Sequence, residues 1–296
     1  LSTEETYAEI APVRLDRNGV SAFVAIMRGC DNFCSYCVVP YTRGRERSRD
    51  AETIVAEARS LFENGYREVT LLGQNVNSYR FGEVDFPGLM RRVASISPLL
   101  RVRFATSHPK DISDRLLEVM ASMPNICRAI HLPAQSGATS MLERMNRKYT
   151  REWYLGRVAA IRRYLPDCAV TTDLIVGFPG ETEEEFSESL AFLKTCGLSM
   201  FHIFPYSRRK GTPAADMPGQ IPNAVKERRA AEAASAAAEL EAQYHTSMLG
   251  TTQQVLFEQE ENGLYAGHAM NYIKVYVQAA DLHNEIRAVR VTELYR

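Results

Sequence analysis

The chain has 296 residues, 45% of them hydrophobic, enough to bury a substantial core, and that composition excludes a disordered or fibrous chain. Its 35 Lys and Arg stand against 36 Asp and Glu, which excludes a global basic field that would draw nucleic acid, so any basic surface has to be local. No run approaches the roughly eighteen apolar residues of a membrane span, and Leu1-Ser2-Thr3-Glu4-Glu5 is polar and acidic, so a soluble, cytoplasmic protein with no membrane contact is expected. The chain starts without Met, which leads us to expect further residues upstream of Leu1.

From about Ser21 to Ser207, short apolar runs alternate with longer amphipathic ones, the pattern of repeated βα units on a parallel sheet. In chain order the strand candidates begin at Phe23, Val69, Val102, Ala129, Leu174 and Phe201. Most are continuously apolar, which predicts a sheet covered on both faces. Asp50 is placed to N-cap the helix that Gly65 ends, and Thr182 with Glu185 has the spacing of a capping box. With right-handed crossovers, six such units curl into a partial (β/α)6 barrel with its chemistry at the C-terminal ends of the strands. Asn223 to His245, rich in Ala, Glu and Arg and free of Gly and Pro, predicts one long closing helix. After Gly250 come β-prone runs, with a hairpin turn at Asn262-Gly263 and with Ile273, Val275 and Val277 alternating with Lys274, Tyr276 and Gln278. The expected fold is therefore α/β: a core over 16–248 and a small C-terminal all-β barrel or open sheet over 249–296.

Three of the six cysteines, Cys30, Cys34 and Cys37, fall within eight residues, just past the end of the first strand candidate. Disulfides would be poorly spaced to staple a domain of this size, and clustered thiolates favour metal. Zinc would want a fourth Cys or His nearby, yet the first His after the cluster is His108. A 4Fe-4S cubane with one iron left unligated by protein fits three thiolates better. Cys127, Cys168 and Cys196 are scattered singly among apolar residues and read as buried, inert thiols.

The Cys-x3-Cys-x2-Cys spacing, with Tyr36 just before the last Cys, resembles the signature of the radical S-adenosylmethionine (SAM) superfamily. The segments Pro40 to Arg49, Leu72 to Tyr79, His131 to Gly137 and Asp173 to Thr182 resemble the methylthiotransferases, most closely their MiaB-type tRNA branch. The resemblance implies that the open iron chelates SAM, and that one electron cleaves the sulfonium to a 5′-deoxyadenosyl radical. It implies N6-isopentenyladenosine at position 37 of tRNA as substrate, methylthiolated on carbon 2. Carried over by position, Cys30, Cys34 and Cys37 ligate the cluster, while Tyr36 and Gln74 contact the SAM adenine and amino groups. Ser107, Gln135, Arg147 and Asp173 are candidates for its ribose or carboxylate. More ordinary alternatives are a turn cap for Ser107, a buried backbone partner for Asp173 and a solvent-facing Arg147. His131 and His202 read as hydrogen-bonded core residues.

The resemblance also implies an N-terminal methylthiotransferase domain with three further cysteines and a second 4Fe-4S cluster. They are not expected within these 296 residues, so the chain as given is expected to cleave SAM without completing methylthiolation. Partners implied are the tRNA anticodon stem-loop and an electron donor such as a flavodoxin or ferredoxin, with the protein a monomer. Arg43, Arg45, Arg47 and Arg49, together with Arg208, Arg209 and Lys210, are candidates for phosphate contact. The C-terminal segment resembles a TRAM domain, but it carries four basic and six acidic residues from Met248 on, with His268 where an Arg is expected. Tyr265, Tyr272 and Tyr276 can stack on bases or pack a core. The alternative within the same chemistry is a methylthiotransferase acting on threonylcarbamoyl-adenosine in tRNA or on an Asp of a ribosomal protein, with Gln74 to Tyr79, and Asn75-Val76-Asn77 within it, as the discriminating segment. A non-catalytic metal- and RNA-binding protein would leave the SAM-type motifs at successive strand ends unexplained.

Overall fold

In the computed structural model, which describes residues 19–295, each of the six apolar runs forms a strand and most are followed by a helix that returns the chain. The strands are β1 (Ser21–Ala25), β2 (Glu68–Leu72), β3 (Arg101–Ala105), β4 (Ala129–His131), β5 (Ala169–Val176) and β6 (Met200–Pro205). The main helices are α1 (Ala51–Glu63), α2 (Phe86–Ala94), α3 (Asp114–Ser122), α4 (Arg151–Tyr164), α5 (Glu183–Thr195) and α6 (Asn223–Ser247). The Asp50 carboxylate accepts from the Thr53 amide at 2.9 Å, and Thr182 and Glu185 form a reciprocal capping box, so both helix starts follow their local sequence. The start of the expected core at residue 16 lies outside the described residues.

Parallel pairing gives two three-stranded sheets, β1-β2-β3 and β4-β5-β6, in chain order. They join where Val102 bridges Ile126: the Cys127 amide donates to Val102 O at 2.9 Å and the Val102 amide to Asn125 O at 3.0 Å. Along each strand alternate residues face the helices, and there Val24, Val69, Leu71, Val102, Ile130, Val170 and Leu174 are fully or almost fully buried.

The opposite, inner face corrects the expectation of a sheet covered on both sides. Register puts Phe23, Thr70 and Arg103 in one row, His131, Thr171 and Met200 in another, and Asp173 beside His202. Leu72 and Phe204 on this face are exposed, as is His202, and His131 is half-buried, so neither His is a core residue. Continuous apolarity here marks the inner wall of an incomplete barrel rather than a second buried layer.

The C-terminal strands β7 (Thr252–Glu261), β8 (Leu264–Ala269), β9 (Lys274–Val277) and β10 (Ile286–Arg290) form an antiparallel sheet in the order β9-β8-β7-β10. Asn262 and Gly263, at φ +52° and +79°, turn β7 into β8. Among the described residues β9 and β10 do not pair, so the ladder is open rather than a closed barrel. Two arginines in β3 contribute much of its docking, beside the Arg128 amide to Met270 O at 2.9 Å and Asn284 Nδ2 to Gly65 O at 2.7 Å. Arg101 donates to His268 O at 2.8 Å and Gln254 O at 2.7 Å, while Arg103 donates to Ala269 O at 2.8 Å. Arg103 Nε also lies 2.8 Å from Glu68 Oε1 in a buried ionic contact, and its guanidinium stacks over Tyr272 at 4.7 Å. Removing one member of a buried pair strands the other charge. Arg103→Met is therefore expected to lower stability by about 3–5 kcal/mol and to expose the C-terminal sheet to protease, measured by urea unfolding and limited proteolysis.

Candidate active site

The cysteine loop is irregular, and its shape is imposed from outside. It is closed at its base by a two-residue antiparallel ladder, Met27–Arg28 against Arg47–Ser48. Gly29 sits at φ +79°, and a Cβ there would lie 2.0 Å from Arg45 O, so only glycine fits. The Gly29 amide donates to Gln74 Oε1 at 2.7 Å, at the end of β2. Ser35 donates from its amide to Met145 O at 3.0 Å and from its hydroxyl to Arg144 O at 2.9 Å, and Asn146 Nδ2 donates to Phe33 O at 2.7 Å. The Ala214 amide, from the segment after β6, donates to Ser35 O at 2.8 Å. Segments that follow β2, β4 and β6 thus hold one loop at the C-terminal end of β1.

Within it, Cys34 is buried and Cys30 and Cys37 are half-buried, all three as free thiols. Asn32 Nδ2 lies 3.4 Å from Cys30 Sγ and Arg147 Nη1 lies 3.3 Å from Cys34 Sγ. Burial raises the Cys30 and Cys37 thiols above their ordinary range, so binding a metal at neutral pH releases their protons. Cys127, Cys168 and Cys196 are buried, and burial pushes each thiol up to about 12, which matches inert residues.

Of the other sequence candidates, Gln74, Ser107 and Gln135 follow the ends of β2, β3 and β4, Asp173 lies within β5, Tyr36 lies in the cysteine loop and Arg147 lies on the segment between β4 and α4. Tyr36 is half-buried, its ring edge-on to Phe178 at 6.5 Å, beside a cleft of about 160 Å³ lined also by Ile175, Phe204, Tyr206, Ser207 and Arg209. Gln74 is half-buried, and because an amide hydrogen must face its oxygen, its Nε2 is the end left for a ligand. Ser107 is buried, and its hydroxyl meets no partner among the described residues, so it is not a turn cap. Gln135, at φ +72°, ties β4 to β5: its amide donates to Asp173 O at 2.8 Å and its carbonyl accepts from the Ile175 amide at 2.9 Å. Asp173 pairs through Oδ2 with His131 Nε2 at 3.3 Å rather than with a buried backbone amide, and His131 Nδ1 lies 2.9 Å from Thr171 Oγ1. Arg147 does not face solvent; it is 8% exposed.

Sequence reading missed several residues that shape this end of the barrel. Tyr149 packs against His108 at 5.6 Å between ring centroids and accepts from Arg147 Nε at 2.8 Å. Burial and the charges of Arg147 and Lys110 lower His108 to about 2, so it is neutral in the working range. Glu181, buried, accepts from the Gly177 amide and from Arg229, each at 2.6 Å, and so locks the tight turn after β5 to α6. The one local signal in the sequence is the residue type at Asn146, since Asn tolerates the left-handed backbone it adopts at φ +55°.

The basic runs divide. Arg47 donates to Arg43 O and Arg45 O, and Arg49 to Glu57, Thr53 O and Ala25 O, so these two brace the loop instead of reaching for phosphate. Arg43, Arg45, Arg208, Arg209 and Lys210 are exposed, with Arg45 held by Asp31 at 3.0 Å. His268 is engaged by Glu258 at 2.6 Å and stacked on Tyr272 at 4.8 Å, and Tyr276 stacks on Tyr295 at 4.3 Å.

Residues 24–193 match the family model of the radical SAM superfamily. The chain belongs to this superfamily. A tRNA-2-methylthio-N(6)-dimethylallyladenosine synthase of Bacteroides fragilis is 50% identical over 303 aligned residues, which take in 99% of this chain and 66% of that protein. One of Bacteroides thetaiotaomicron is also 50% identical, across 99% of this chain and 67% of its own length. The chain thus spans about two thirds of the length of these curated relatives. Among solved structures, the radical S-adenosylmethionine methyltransferase TsrM of Kitasatospora setae superposes with a TM-score of 0.56 at 19% identity, over 65% of this chain and 38% of its own. At that identity the likeness is one of fold.

The residues present fit the cofactors of a radical SAM chain, a 4Fe-4S cluster and SAM. Arg147 is a buried cation with no carboxylate among its hydrogen-bond partners, and an anionic sulfur at Cys34 would compensate it. The unpartnered Ser107 hydroxyl at the end of β3 suits a polar ligand above the strands. Among the described residues no three His, Cys, Asp or Glu side chains converge on one ion, whereas a cluster takes its thiolates on separate irons. Gly29→Ala is expected to dislodge the loop and cut iron incorporation several-fold with the helical content intact, measured as iron per chain and far-ultraviolet circular dichroism.

Proposed function

We propose that Cys30, Cys34 and Cys37 hold the 4Fe-4S cluster, and that the mouth of the barrel above them binds SAM. When bound, the cluster supplies the electron that cleaves the SAM sulfonium and begins radical chemistry. The side chains have separate tasks in this reading. Tyr36 stands beside the cleft where an adenine would stack. Gln74, its oxygen occupied by Gly29, offers N–H donors, which suit a carboxylate better than the amine expected from the sequence. Ser107 and Gln135 offer hydrogen bonds from the segments after β3 and β4, and Asp173, oriented through Oδ2 by His131, offers Oδ1 to ribose hydroxyls. Arg147 neutralises charge at the cluster end of the site.

For the whole protein the reaction proposed is addition of a methylthio group to carbon 2 of N6-isopentenyladenosine at position 37 of tRNA. One observation carries this reading: 50% identity across 99% of the chain with relatives named for that product. We propose 16–248 as the catalytic core and 249–296 as a TRAM-like module. The tRNA anticodon stem-loop would be held chiefly by Arg43, Arg45, Arg208, Arg209 and Lys210 near the mouth, since the Glu258 contact takes His268 out of phosphate binding. A monomer in the cytoplasm, reduced by a flavodoxin or ferredoxin, completes the proposal. Among the described residues no helix is long and apolar enough to cross a membrane.

The deciding experiment reconstitutes the chain anaerobically with iron and sulfide, reduces it with dithionite in the presence of SAM and measures 5′-deoxyadenosine. The wild type is expected to form it and the Cys30→Ala, Cys34→Ala, Cys37→Ala triple variant to form none. A wild type with a verified cluster and no product would overturn the reading.

A further inference from the structure

Arg147 is held at three points. Nε donates to the Tyr149 hydroxyl at 2.8 Å, Nη2 to Pro133 O at 2.9 Å, and Nη1 reaches Cys34 Sγ at 3.3 Å. Tyr149 is itself fixed, its hydroxyl 2.8 Å from Ala134 O and 3.1 Å from Pro133 O. The first two contacts set the guanidinium plane, and the third aims it at sulfur. Cys30 also has a donor, but that is the neutral Asn32 amide from its own loop, at 3.4 Å. Cys34 is the most buried of the three cysteines and faces a buried cation, so the electrostatic effect at its sulfur is the least screened by water.

A cluster that accepts one electron gains one negative charge. Hydrogen bonds and positive charge on its ligand sulfurs favour the reduced form. We propose that Arg147 is a positioning residue that, acting through the Cys34 sulfur, makes the cluster easier to reduce. The electron comes from an external one-electron donor, and no bond forms or breaks. This rests on the assignment of Cys34 as a cluster ligand.

The test titrates the reconstituted chain with dithionite against redox mediators, without SAM so that contacts to the cosubstrate do not enter, and reads reduced cluster by electron paramagnetic resonance. At the potential where the wild type is half reduced, Arg147→Met is expected to lower the ratio of reduced to oxidised cluster about tenfold, equivalent to about 59 mV for one electron. Arg147→Lys, which keeps the charge and loses the fork, should fall between, and Asn32→Ala should shift the ratio less than Arg147→Met. An unchanged ratio in Arg147→Met with full iron content overturns the proposal and leaves Arg147 a brace for the Pro133 segment. If that variant fails to load iron, Arg147→Lys and Tyr149→Phe decide, since both keep a cation near Cys34 and misplace it; an unchanged ratio in both overturns the proposal equally. Failure of the wild type itself to form a cluster would instead count against the proposed function, so the two failures are distinguishable.

Discussion

The cysteine loop has no hydrogen-bonded periodicity to hold its shape, so its geometry is borrowed from the segments that follow β2, β4 and β6. Gln74, Met145, Arg144, Asn146 and Ala214 each make a contact with its backbone or with the Ser35 side chain. Because these partners lie on segments that follow different strands, the barrel has to close far enough to bring them together before the three sulfurs have a defined spacing. The loop is therefore a readout of the tertiary fold rather than a local motif. The same dependence explains why Gly29 cannot be replaced: Arg45 O passes where a side chain would begin.

The inner wall is where fold and chemistry meet. A barrel filled by side chains would be a packed core, but here Leu72, Phe204 and His202 stay exposed on the inner face while the helix face is closed. Space inside the barrel is kept at the cost of leaving apolar area in water. At the opposite end from the cysteines, Arg101 and Arg103 spend their donors on carbonyls of the C-terminal segment, anchoring the β-sheet to the core instead of leaving it a tethered appendage. Arginines in the middle of a strand signal such a role only once the partner carbonyls are known.

Next to the cysteines and along the strands, charge is handled by burial and pairing. Arg147 sits against sulfur, His131 against Asp173, and Glu181 against both the Gly177 amide and Arg229. Arg147–Cys34 joins the segments that follow β4 and β1, His131–Asp173 joins two neighbouring strands, and Glu181–Arg229 joins the turn after β5 to α6. Each therefore ties neighbouring elements of the barrel together near its mouth.

Strand positions, both helix caps, the hairpin turn and the three-cysteine pattern were legible in the chain, because periodicity, capping and ligand spacing are written in residues a few positions apart. Which face of the strands would be buried was not legible, since an apolar residue reads the same against a helix or against an open lumen. Nor was the fate of the arginines: Arg47 and Arg49 turned inward to backbone and Glu57, Arg147 went into the interior, and Arg208 and Arg209 stayed out. By itself the sequence determined the elements, their order and the chemistry available. The tertiary structure alone decided which side chains meet, because a long, flexible cation takes its partner from residues far away along the chain.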